Sequence, residues 1–402
     1  MKKTLLLLFF AAGVLSCKQP QVERFIDFDT FRPTGTTLSD VVTPDGSLNP
    51  DIRFMEDLGS TTAARTHTTT ARDLLGAITC NSLIHVSGTF TGHDIDGSPL
   101  TQSGKIIYPA NGPIKNIILV SHYTICADYE APSESFPMEG ILATKGYALL
   151  IADYIGYGVT VDRIHPYLHV SSTARSVVDF ALAAKPYLEK TGREILSDEV
   201  ILVGYSQGGS ITLGVMNLIQ REYPDVFPIK KVYAGGGAYD LAATFDISMA
   251  ENRTGIPCAI PMLVQGINVG EDLGLDMKDF FKPRLLENYE EWINSKKYTI
   301  GQISDLVGVR DLHELLTDEG RDKTSPKTAT FYKALMLNST LNFTPRAPVF
   351  FFHCKKDDTV PFENAKRAEK AFKYQNVQFD FGDYGSHATG ALVFLGRVLD
   401  EL

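Results

Sequence analysis

Apolar runs that do not alternate constrain this chain most. They are NIILVSH (Asn116 to His122), ALLIADY (Ala148 to Tyr154), VILVGYS (Val200 to Ser206), KVYAGGG (Lys231 to Gly237) and PVFFFHC (Pro348 to Cys354). A strand with one face in water alternates apolar and polar residues, so a continuous run needs cover on both faces. Helical patterns separate the runs, notably Ser171 to Leu188, where Val177, Phe180, Ala181 and Ala184 share one face. Strand alternating with helix predicts an α/β fold, a mostly parallel sheet flanked by helices. Upstream, Leu83 to Ile107 alternates in short runs broken by the turn cluster HDIDGSP, which predicts an N-terminal antiparallel hairpin. Between Tyr239 and about Leu341 the pattern is helical, with no strand of the buried type. A helical lid inserted at about 239–341 is expected.

The 402 residues suit one large domain, assigned to 71–402 with its insertion. Residues 17–70 are rich in Thr, Pro, Asp and Gly and read as a tether and an irregular N-terminal segment. Residues 1–16 have two lysines, an apolar run and small residues, the make-up of a secretory signal peptide. The stretch ends in Val14-Leu15-Ser16-Cys17. This resembles the bacterial lipobox, which implies lipid attachment at Cys17 and anchoring to a membrane. Lys18 is not the aspartate that would suggest inner-membrane retention, so the expected location is the outer membrane. Cys80, Cys126, Cys258 and Cys354 fit no zinc spacing, and no pairing is assigned to them. The formal charge of −10, without a basic stripe, argues against a nucleic-acid partner.

The chemistry centres on GYSQGG, Gly204 to Gly209. It fits G-x-S-x-G between a buried strand and a helix-compatible stretch. A serine on so tight a strand-to-helix turn needs neighbours without side chains, and Gly204, Gly208 and Gly209 supply them. Ser206 is the expected nucleophile, and it needs a base and an acidic residue to orient that base. In this arrangement the order is Ser, then Asp or Glu, then His. Of the nine histidines, only His313, His353 and His387 follow Ser206. His313 falls in the insertion and His353 inside an apolar strand, which leaves His387 in the loop DYGSHATG. The acid should come from CKKDDTVPF. Asp357, placed as in D-x-x-V-P, is preferred to Asp358. The oxyanion donors expected are the backbone N–H of Gln207 and an amide of Tyr123 or Thr124 in the loop SHYTICADY. His122 reads as a packed histidine beneath that loop.

These residues resemble the α/β-hydrolase family from about Ser82 to Leu402. GYALLIADYIGYG, HPYLH, SVVDFALAA and GYSQGG are similar to its secretory lipase branch, the lipase A type. The resemblance implies carboxylic-ester hydrolysis through an acyl-serine, with no metal or organic cofactor. His122-Tyr123 stands where many relatives carry His-Gly. The expected partner is a small-molecule or glycan-borne ester. Two alternatives remain open: a carbohydrate esterase removing acetyl or feruloyl groups from polysaccharide, and a non-catalytic, ligand-capturing lipoprotein. A peptidase of this fold lacks its usual β-propeller domain here. The apolar stretch GIPCAIPMLVQGINVG could cover an acyl chain or form lid core.

Overall fold

The computed structural model describes residues 21–22, 26–30, 32–33, 83–373 and 376–402. The signal peptide, Cys17, most of the tether and Cys80 lie outside the described residues. The strands are β1 (Gln21–Val22), β2 (Ile26–Asp27), β3 (Arg32–Pro33), β4 (Leu83–His93), β5 (Pro99–Pro109), β6 (Ile117–Ser121), β7 (Ala148–Ala152), β8 (Val200–Tyr205), β9 (Ile229–Gly235), β10 (Val349–Cys354) and β11 (Val377–Gly382). They form one sheet in the order β11-β10-β9-β8-β6-β7-β5-β4-β2-β3, with β1 beside β4. From β11 to β7 every pairing is parallel. β4 and β5 form the antiparallel hairpin, closed by the Asp94 to Ser98 turn with Gly97 at φ 84°.

The unalternating runs have a direct packing cause. Ile117 and Leu119 enter one apolar core and Ile118 and Val120 the other; Leu202 and Val203, and Phe351 and Phe352, divide the same way. The first core lies under α1 (Val170–Lys190) and α2 (Gln207–Glu222). There Val177, Phe180, Ala181 and Ala184 are all buried, as their spacing predicts. Between β9 and β10 comes a helical cap: α3 (Leu241–Glu251), α4 (Ala259–Gly270), α5 (Pro283–Tyr289), α6 (Ile300–Val307), α7 (Leu312–Leu315), α8 (Asp318–Arg321) and α9 (Pro326–Leu337). The second core lies under a 3-10 segment, Met138–Lys145, and the last helix; α10 (Glu363–Ala371) and α11 (His387–Glu401) complete the chain. The cap has its own core, in which Ile260, Leu263, Val264 and Ile267 of α4 are buried. Among the described residues no helix is long and apolar enough to cross a membrane.

Glu139, in the 3-10 segment, is 3 % exposed, and neither carboxylate oxygen has a hydrogen-bond partner. Burial pushes its pKa from 4.5 up to about 7. A raised folded-state value means a stability contribution complete below pH 4.5 and lost as pH rises through about 7. Glu139→Gln is therefore expected to gain stability relative to the parent between pH 5 and pH 8, by up to about 3 kcal/mol. Urea unfolding of both proteins at the two pH values checks this, and a pH-independent difference would refute it.

Candidate active site

The site lies where the parallel strands end, the usual ligand position in open α/β sheets. Ser206 follows β8 and precedes α2, with φ 60° and ψ −122°. That backbone is strained for a residue with a Cβ, and its surroundings must hold it there. The glycines permit the approach. A Cβ on Gly204 would sit 2.2 Å from the Gly208 carbonyl oxygen, one on Gly208 1.9 Å from that of Ser121, and one on Gly209 2.3 Å from that of Gly235. The Ser206 amide donates to the Gly235 carbonyl at 2.9 Å, tying the turn to β9.

The three residues expected to act together are together. His387 Nε2 lies 2.8 Å from Ser206 Oγ, and His387 Nδ1 lies 2.7 Å from Asp357 Oδ2. The Asp357 side chain is fully buried, and Oδ1 accepts the amides of Thr359 at 2.9 Å and Val360 at 2.7 Å. Burial works against its charge. The His387 imidazole and its hydrogen bond, with His353 and the Thr359 amide, outweigh that and hold the carboxyl below the usual carboxylate value. Asp358 accepts the His387 backbone amide at 3.1 Å instead. His387 is the first residue of α11, whose N-cap Ser386 accepts from the Thr389 amide.

Gln207 is the first residue of α2 and is 3 % exposed. Tyr123 and Thr124 lie just beyond β6, and the Thr124 hydroxyl is 3.0 Å from the Tyr167 hydroxyl. His122 is buried. Its Nδ1 reaches the Tyr123 carbonyl at 2.7 Å and its ring stacks on Tyr154 at 3.9 Å.

The secretory lipase family model matches residues 133–396. The chain belongs to the secretory lipase family. As a secretory lipase family member it is a hydrolase of lipase/esterase type. Its fold is similar to LipA of Xanthomonas oryzae, a rice cell wall degrading esterase (20 % identity, 82 % of this chain and 93 % of that one, TM-score 0.71). It is also similar to Candida antarctica lipase A (17 % identity, 75 % and 72 %, TM-score 0.56). A Legionella pneumophila protein superposes with TM-score 0.72 at 23 % identity, over 80 % of this chain and 88 % of that one. No curated protein sequence matches.

Several side chains of this family member support the site without a motif to announce them. The Tyr205 hydroxyl donates to the His387 carbonyl at 2.7 Å, so the residue before the serine holds the loop of the histidine. His353 donates from Nε2 to the Val360 carbonyl at 3.1 Å and lies 3.5 Å from Asp357 Oδ2, giving the strand histidine a place beneath the acid. Asp153 accepts the Ser103 hydroxyl and, at 2.7 Å, the Ser133 amide. It thereby pins the chain beyond β6 to the end of β7. Among the described residues no group of three or more His, Cys, Asp or Glu side chains could hold a metal ion.

The cap covers the loop after β6. Cys126 in that loop and Tyr167 belong to the cap's apolar core. Cys126, Cys258 and Cys354 are free and buried. The Cys258 thiol beside Cys126, together with burial, pushes the Cys126 thiol well up. That adjacency joins the loop after β6 to the start of α4, and sequence spacing carried no sign of it.

Proposed function

We propose that this protein is a serine carboxylic-ester hydrolase that works through an acyl-serine, and that it is exported and anchored by lipid at Cys17, most naturally to the outer membrane. The observation that carries the catalytic reading is the continuous hydrogen-bonded relay from Ser206 Oγ through His387 to the buried Asp357. Ser206 Oγ attacks the ester carbonyl carbon while His387 Nε2 takes its proton. The tetrahedral oxyanion faces the Gln207 N–H and an amide of Tyr123 or Thr124. Collapse expels the alcohol, to which His387 returns the proton. Water then attacks the acyl-serine, again giving its proton to His387, and the acid leaves as Ser206 recovers it. Asp357 stays charged throughout and holds the imidazole with its Nδ1–H inward.

A fluorophosphonate probe is expected to label Ser206, as located by peptide mass spectrometry, and not the Ser206→Ala protein. Absence of labelling in folded parent protein would support the ligand-capturing alternative. The substrate is an ester in either enzymatic reading. The tether would hold the enzyme beside imported glycan, and the X. oryzae esterase acts on cell wall, so acetylated xylan and feruloyl glycans belong in the panel with short and long p-nitrophenyl esters.

A further inference from the structure

The segment between β7 and α1 contains a buried histidine to which the relay gives no task. His165 Nδ1 lies 2.8 Å from the Ile155 carbonyl oxygen, and Nε2 lies 3.0 Å from Gln207 Nε2. A carbonyl can only accept, so Nδ1 carries the hydrogen. Burial lowers the pKa of His165 to about 3, which leaves the ring neutral and its Nε2 an acceptor. The Gln207 carboxamide must then present its NH2 to the ring. The tautomer and the amide orientation fix each other.

The ring itself is confined. It lies parallel to Tyr154, with centroids 6.1 Å apart and planes within 6°, and packs against Tyr157 at 5.0 Å and Tyr167 at 6.0 Å. Its backbone is pressed against Gly156, at φ 97°, where a Cβ would be 2.7 Å from the His165 nitrogen and Cα. Tyr154 also stacks on His122 at 3.9 Å, and its hydroxyl donates to the His122 carbonyl at 3.4 Å. A stack of His122, Tyr154 and His165 thus runs from the Tyr123 loop to Gln207, the two places expected to supply the oxyanion donors.

We propose that His165 is a positioning residue for ester hydrolysis, acting through the Gln207 carboxamide to hold the start of α2 so that the Gln207 backbone N–H faces the oxyanion. The inference rests on the serine-hydrolase reading. Gln207 gives its N–H to the transition state from the main chain, and its side chain, held by His165, sets the direction. A donor of this kind is worth about 10²- to 10³-fold in kcat, and a displaced one loses part of that. The oxyanion forms only in the transition state, so the loss should fall on kcat.

The test is a double-mutant cycle on a short-chain p-nitrophenyl ester with the full protein. His165→Leu and Gln207→Met are each expected to lower kcat about 10- to 100-fold with KM nearly unchanged. The double variant should be no worse than the poorer single, because both remove one interaction. His165→Gln, whose carbonyl oxygen can accept in place of Nε2, should recover most of the rate, whereas His165→Asn, too short to reach, should not. Thermal unfolding of each variant reads the fold. Additive losses, a change confined to KM, or equal rates for His165→Gln and His165→Leu would overturn the assignment. Should His165→Leu fail to fold, an unchanged kcat in Gln207→Met alone would overturn it. The hydrolase reading fails separately and visibly, through a parent protein that neither labels at Ser206 nor turns over, and the positioning role falls with it.

Discussion

Asp357→Asn is expected to fold normally and lose about 10⁴-fold in kcat. The local hydrogen bonds explain both halves. Oδ1 accepts the Thr359 and Val360 amides, so the carbonyl of the asparagine must stay there. The NH2 then faces His387 Nδ1, where a donor now confronts the atom that carried the hydrogen. The imidazole can answer only by moving its proton to Nε2, and in that tautomer it cannot take a proton from Ser206. The His353 Nε2–H at 3.5 Å from Oδ2 gives the intruding NH2 no acceptor either. Ser206→Ala and His387→Ala should each cost about 10⁶-fold, and the pair together no more, because the relay acts as a unit. Single-turnover kinetics and far-ultraviolet circular dichroism on the three single variants and the double variant check this. An Asp357→Asn protein within tenfold of the parent would remove Asp357 from the mechanism.

Much of the architecture was legible because burial on both faces leaves an unmistakable mark. Runs such as NIILVSH and PVFFFHC have no alternation since neighbouring residues serve opposite cores, Phe351 against Tyr239 and Phe372, Phe352 against Phe394 of α11. The order of serine, acid and histidine along the chain, with other histidines assigned to strand or insertion and D-x-x-V-P favouring Asp357 over Asp358, nominated the trio that the fold brings within hydrogen-bonding distance. What stayed hidden depends on contacts distant in sequence between residues of unremarkable type. Nothing in HPYLH says that His165 will meet Gln207, because the meeting depends on Gly156 letting the chain fold close upon itself. The strands β1 to β3 are two residues each, too short for periodicity to register, and they join the sheet beside β4 within a stretch whose composition reads as tether. The apolar stretch around α4 could serve a pocket or a core by composition. Packing buries Ile260, Leu263, Val264 and Ile267 in the cap's own interior, while Met262 and Gln265 of the same stretch line a small cavity with Tyr157 and His165.

Close packing likewise makes Gly208→Ala the most damaging small substitution expected in this protein. Its Cβ would lie 1.9 Å from the Ser121 carbonyl oxygen, 2.7 Å from the Ser121 carbonyl carbon and 2.8 Å from the His122 carbonyl oxygen. All three are backbone atoms at the end of β6, so no flexible side chain can yield. Either α2 withdraws from β6 or the end of β6 moves. The first displaces Ser206 and the Gln207 N–H, and the second displaces His122 and Tyr123. Both break the match between nucleophile and oxyanion donors, so the activity loss should exceed what instability alone explains. Overpacking typically costs about 1–3 kcal/mol and more where backbone must move, which places this variant at or above the upper end. Gly192→Ala supplies the contrast: φ there is 74°, but nothing lies within 4 Å of the added methyl, so its cost is conformational alone, about 1 kcal/mol. Urea unfolding and the rate of fluorophosphonate labelling, measured on both variants under conditions where each is folded, separate stability from site geometry. If Gly208→Ala matched Gly192→Ala in both measurements, the close approach of α2 to β6 could not be what positions Ser206.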